Sequence, residues 1–130
     1  MAEESKKHIG RIFHVDDNKL ILEDVAENLA DDDIYKVVLT ARSVREALSY
    51  IPARLKELDV NFALLDGELP DGSGAEVAEA IRKSELGIIV ASLSGKLRLP
   101  TWGDINIDKT DGPEGYLTAL DETLRPNNQS

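Results

Sequence analysis

Short apolar runs alternate with segments of helical hydrophobic spacing along this chain, and that alternation admits few folds. Arg11 to Val15 (RIFHV) is a β-rich run ending in Asp16-Asp17. Leu20, Ile21, Leu22, Val25, Ala26 and Leu29 then recur at helical spacing. They predict an amphipathic helix from about Asn18 to Ala30, closed by Asp31-Asp32-Asp33. Tyr35 to Leu39 reads as a second strand. Val44, Ala47, Leu48, Ile51, Leu55 and Leu58 mark a second helix, with Ser43 as its N-cap and Pro52 set to kink or end it. Asn61 to Leu65 is a buried strand that stops at Asp66. A third helix runs from Ser73 to about Ser84, a fourth strand from Gly87 to Leu93, and a fifth from Asp104 to Asp108. Asp111-Gly112-Pro113 opens a last helix carrying Leu117, Leu120 and Leu124. Strand followed by helix throughout predicts an α/β domain with a doubly wound, five-stranded parallel sheet.

One crossover breaks the rule. Only GKLRLPTWG separates Ser94 from Asp104, and a parallel crossover usually takes about a dozen residues or more. The fourth helix is therefore expected to be missing or reduced to about one turn. Trp102 in that segment either anchors a partner or covers the shortened crossover.

The bulk chemistry excludes several functions. The 130 residues fit a single domain over 1–130, with a core at about 9–124 and loose tails at 1–8 and 126–130. A formal charge of −10 opposes binding to a phosphate backbone, so no nucleic-acid partner is expected. The absence of cysteine removes disulfides, thiolate metal sites and a Cys nucleophile. The polar start lacks the apolar core of a signal peptide and no run is long enough to span a bilayer, so a cytoplasmic location with no membrane partner is expected.

Acidic residues collect where strands stop. Asp16 and Asp17 end strand one, Asp66 ends strand three, and Lys109 follows strand five. Open parallel sheets do their chemistry at the carboxyl ends of strands. Converging carboxylates repel, and a hard dication resolves that repulsion; Mg²⁺ takes oxygen ligands and typically one or two carboxylates plus phosphate oxygens. A neighbouring ammonium and hydroxyl complete what phosphoryl transfer needs, namely positioning and charge neutralisation. Each residue also has a plainer role: Asp66-Gly67 is ordinary turn chemistry, and Asp16-Asp17 suits a helix start. His14 on strand one is expected to be a core or core-edge histidine.

Taken together, these features resemble the receiver domain of two-component response regulators, the chemotaxis-regulator-like phosphoacceptor, over roughly residues 9–124. The matching residues are Asp16-Asp17, Asp66 at the end of strand three, Pro70 and Gly74 after it, the strand closing in Leu93-Ser94-Gly95, and Lys109. The resemblance implies a flavodoxin-like strand order of 2-1-3-4-5. It implies that Asp66 is the phosphoacceptor and that Mg²⁺ is held by Asp16, Asp17, Asp66 and the backbone carbonyl of Glu68. Ser94, Lys109, Gly67 and Gly95 would surround the phosphoryl group, with Ser92 competing with Ser94 for the hydroxyl role. A histidine kinase or phosphotransfer protein would donate the phosphoryl group and a downstream protein would read it; a homodimer is also allowed. The same likeness expects no enzyme, and an alternative is an interaction module that works without phosphorylation.

The chain departs from that family at Thr110, where Pro usually follows the lysine, and at Asn106, where an aromatic usually reports phosphorylation. Two other sites are disfavoured. A haloacid-dehalogenase-type phosphatase wants an Asp two residues after the nucleophile, where Glu68 stands. A calcium loop counted from Asp66 wants Gly at Asp71 and Glu at Val77.

Overall fold

The computed structural model describes residues 9–31, 34–94 and 102–124. The main sheet holds β1 (Gly10–Val15), β2 (Tyr35–Ala41), β3 (Phe62–Asp66), β4 (Ile89–Ser94) and β5 (Ile105–Asp108), all parallel, in the order β2-β1-β3-β4-β5. The helices are α1 (Lys19–Ala30), α2 (Val44–Tyr50), α3 (Ala53–Glu57), α4 (Gly74–Ser84) and α5 (Gly112–Leu124). Glu68–Leu69 and Gly72–Ser73 form a small antiparallel hairpin beyond β3.

Both faces of the sheet are covered, which is why the strands read as continuous apolar runs. One face packs Phe13, Val15, Ala63, Leu65 and Val90 against Val44 and Ala47 of α2, Leu55 of α3, and Val77, Ala78 and Ile81 of α4. The other packs Ile12, Phe62, Leu64, Leu93 and Ile107 against Val25 and Leu29 of α1 and Tyr116 and Leu120 of α5. The strand period of two sends alternate residues of β1 and β3 into the two layers.

Caps fix where the helices begin. Asn18 accepts the N–H groups of Leu20 and Ile21, and Ser43 accepts that of Glu46. Ser73 accepts from the Ala75 N–H while the Glu76 carboxylate accepts from the Ser73 N–H, a reciprocal cap for α4. Asp71, from the hairpin, accepts the first N–H groups of α2 at Val44 and Arg45 (2.8 and 2.9 Å). Pro52 divides the second helical segment into α2 and α3, because it lacks the N–H an unbroken helix would use.

Among the described residues no helix lies between β4 and β5, in keeping with the short crossover; residues 95–101, Gly95 among them, lie outside the described residues. So do the expected tails and the Asp32-Asp33 part of the acidic turn. Asp104 fastens the end of the crossover. Its N–H donates to the Val90 carbonyl (2.7 Å), one carboxylate oxygen accepts the Val90 N–H (2.8 Å), and the other accepts from Arg82 of α4 (3.1 Å). Asp104→Ala leaves the N–H of a buried residue without an acceptor, so a loss of about 1–3 kcal/mol is expected in urea unfolding. Asp104→Asn, which keeps an acceptor oxygen, should lose less; equal stability of all three chains would show that this clamp is idle.

Candidate functional site

Register alone brings the acidic strand ends together. β1 and β3 pair as far as Val15 with Leu65, so Asp16 and Asp66 each stand one step further. Asp66 is level with Leu93, and Leu93 with Ile107, so Ser94 and Asp108 extend the same edge and Lys109 follows. Lys109 Nζ lies 3.0 Å from Asp16 Oδ2 and 3.3 Å from Asp66 Oδ2. Asp16, Asp17 and Asp66 each offer a carboxylate oxygen, and all of these oxygens fall within 4.8 Å of one another. The expected convergence is therefore present.

The electrostatics follow from this crowding. Burial first, then the Asp16 charge, push the Asp66 carboxyl up to about 6, against the opposing pull of Lys109. Burial works against the Lys109 ammonium, but its close charge contacts with Asp16, and then Asp66, raise it above the usual lysine range. Asp16 is fully buried; its Oδ2 has the Lys109 charge beside it but no hydrogen bond of good geometry, while its Oδ1 accepts the Asn18 N–H (2.9 Å). An under-bonded buried carboxylate oxygen, two neighbouring carboxylates and an all-oxygen donor set fit a hard dication such as Mg²⁺.

Asp66 also opens a turn, since its Oδ1 accepts the Glu68 N–H (3.2 Å). The turn is compact because Gly74 approaches it: a Cβ there would stand 2.3 Å from the Asp66 carbonyl oxygen. Gly67 donates its N–H to the Leu93 carbonyl (3.2 Å) and accepts from the Gly74 N–H (3.4 Å).

Structure separates the two serines. Ser92 is fully buried, and its hydroxyl bonds the Ile105 carbonyl and the Asn106 side-chain oxygen. Ser94 is half-buried at the strand end, level with Asp108. Thr110 has a local reason too. Its N–H and hydroxyl both donate to Asp108 Oδ1 (2.9 and 2.7 Å), capping the 3₁₀ turn Lys109–Asp111. Proline could not supply that N–H.

One residue at the site carried little sequence signal. Arg42 donates to the Asp17 carbonyl from Nε and Nη2 (3.3 and 3.1 Å), steadying the acidic loop from 25 residues away. His14 is fully buried with neither ring nitrogen hydrogen-bonded, and its ring meets Tyr116 edge-on at 5.9 Å. Burial holds its imidazole down at about 4, so it is neutral, as expected of a core histidine. Trp102 packs against the core near Gly67 and Gly74.

The response regulator receiver domain model matches residues 12–105. The chain belongs to that family. Solved receiver domains share its architecture. One is the CheY-like receiver domain protein from Methanospirillum hungatei JF-1, 27% identical, covering 92% of this chain and 97% of that one, with a TM-score of 0.73. Another is the signal receiver domain of the putative response regulator NarL from Mycobacterium tuberculosis, at 26% identity, 92% and 98% coverage and a TM-score of 0.76. The chemotaxis response regulator CheY4 of Vibrio cholerae, at 22% identity, 88% and 98% coverage and a TM-score of 0.73, supports the fold. No curated protein sequence matches the chain. The flavodoxin-like order is thus that of the receiver family, and this receiver domain carries an acidic pocket suited to a cation. Among its described residues no helix is long and apolar enough to cross a membrane.

Proposed function

We propose that this receiver domain is a phosphoacceptor, with Asp66 receiving the phosphoryl group from a histidine kinase or phosphotransfer protein. One observation carries the reading: Lys109 bridges Asp16 and Asp66 in a pocket where three carboxylates converge. An Asp66 carboxylate oxygen attacks phosphorus, the bond from phosphorus to the donor imidazole breaks, and the electron pair leaves on that nitrogen. Asp16, Asp17, Asp66 and the Glu68 carbonyl would hold Mg²⁺, which supplies charge neutralisation for the approaching phosphoryl oxygens. Lys109 would pair with one oxygen and Ser94 donate its hydroxyl to another. Gly67 would donate its N–H after exchanging its bond to Leu93, with Gly95 beside it. Attack needs the ionised carboxylate; burial beside Asp16 raises that carboxyl to about 6 in the metal-free pocket, and bound Mg²⁺ would favour its ionised form.

The output would be contact with a downstream protein in the cytoplasm. Asn106 favours a second reading, an interaction module that ignores phosphorylation, because an amide bonded to Ser92 replaces the expected aromatic. Intact mass after incubation with acetyl phosphate separates the two. A single phosphoryl adduct that needs Mg²⁺ supports the phosphoacceptor; an unmodified mass with and without Mg²⁺ supports the second reading.

A further inference from the structure

No helix is found between β4 and β5 among the described residues, and Trp102, just before Gly103 and Asp104, packs against the core cluster that includes Val90 of β4. Gly103 lies so flat that a Cβ on it would meet the Ser92 nitrogen and the Ile105 carbonyl oxygen, each at 2.8 Å. Asp104 is fastened to Val90 and Arg82, so the base from which Trp102 projects is anchored. From that base the indole reaches the acceptor turn. Its Cζ2 is 3.7 Å from where a Cβ on Gly67 would stand, and its Cη2 is 3.0 Å from that point on Gly74. The two glycines bracket the hairpin that includes Glu68, and the Gly74 N–H donates to the Gly67 carbonyl. The indole therefore lies beside both ends of the acceptor turn, in the room left by the missing side chains of Gly67 and Gly74.

The same ring is also a wall of an open groove of about 630 Å³, with Ala75, Glu79, Arg82 and Lys83 of α4 on its other side. Packed surfaces do not deform continuously, so a shift of the Asp66–Glu68 backbone must displace a ring lying beside it. The alternative route through β5 ends at Asn106, which bonds Ser92.

We propose that Trp102 is a positioning residue that holds the acceptor turn in its ligand-binding shape and couples occupancy of that turn to the groove along α4. This rests on the reading of the Asp66 pocket as a Mg²⁺-dependent acceptor. Because coupling is reciprocal, removing the indole should weaken ligand binding at the pocket, and ligand binding should move the indole.

Trp102 is the sole tryptophan, so its emission reports on this position alone. The full chain is titrated with Mg²⁺, then with Mg²⁺ plus acetyl phosphate, and intact mass is read on the same samples. Emission should change saturably with Mg²⁺ and again with the adduct, the second change being absent in Asp66→Asn. By calorimetry Trp102→Ala should bind Mg²⁺ roughly tenfold more weakly, and Trp102→Phe should recover most of that loss. If the adduct forms while emission stays constant and Trp102→Ala binds Mg²⁺ normally, the coupling is overturned and the acceptor reading stands. If no adduct forms but Mg²⁺ shifts the emission and Trp102→Ala binds it weakly, the acceptor reading falls and the coupling to the turn stands. Should Trp102→Ala fail to fold, constant emission of the natural chain on Mg²⁺ addition decides against the proposal.

Discussion

Asp66→Asn will be more stable than the natural chain at neutral pH while accepting no phosphoryl group. The Asp66 carboxyl is raised to about 6 because its charged form is buried beside Asp16, and the Lys109 contact only partly offsets this. A raised folded-state value means the folded chain holds the extra proton between about pH 4 and 6. Stability then falls as pH rises across that window and stays lowered above it. A displacement of about two pH units corresponds to roughly 3 kcal/mol, and screening at the open side of the pocket brings this to about 2 kcal/mol. The neutral amide escapes the penalty, so the gain should appear near pH 7 and vanish below about pH 4. Denaturant midpoints of both chains across that range test it. Parallel curves, with no gain for Asn at neutral pH, would contradict the crowding of charge described here. Mg²⁺ should flatten the pH dependence of the natural chain, since it favours the ionised form.

Lys109→Ala should have the opposite sign. It removes the ammonium 3.0 Å from Asp16, a fully buried carboxylate, and 3.3 Å from Asp66. Taking one partner from a buried ion cluster leaves charge uncompensated, and a loss of about 3 kcal/mol is expected. Asp66 should then titrate still higher, because the group opposing its upward shift is gone. Added Mg²⁺ should restore part of the lost stability by binding the folded form alone. Phosphoryl acceptance should fall by about two to three orders of magnitude, the usual effect of deleting a charge-stabilising group. Thermal unfolding with and without Mg²⁺, together with adduct formation rates, checks each part. A variant as stable as the natural chain in the absence of Mg²⁺ would mean that Lys109 does not neutralise the pocket.

Gly74→Ala gives an independent check on the turn. The added Cβ would press on the Asp66 carbonyl at 2.3 Å, a contact that only backbone movement can relieve. The expected result is a loss of about 1–3 kcal/mol together with weaker Mg²⁺ binding, read by thermal shift and calorimetry.

What the linear sequence determined is what repeats or stops locally. The short apolar runs of β1 and β3, the helical spacing in α1 and α4, and the cap at Ser43 each depend on neighbours within a few positions. The pocket was legible for the same reason. Asp16, Asp66 and Lys109 sit where apolar runs end, and a parallel sheet aligns those ends. The short crossover was visible as a simple count of residues.

Only tertiary structure decided the rest, because the partners are far apart in the chain and no pattern marks them. Asp71 caps α2 from 27 residues away, Asp104 closes on Val90 across 14, and Arg42 reaches the Asp17 carbonyl across 25. Periodicity places Ser92 and Ser94 on the same side of β4, but only packing shows that the Ser92 hydroxyl is bonded within the sheet while Ser94 stands at its end. Trp102 likewise reads as either a partner anchor or a cover for the short crossover until Gly67 and Gly74 are seen to leave room for its ring. Hydrophobic spacing dictates which strands and helices form. The contacts made by charged and aromatic side chains depend on where the closed fold brings distant backbone, and no local interaction energy encodes that.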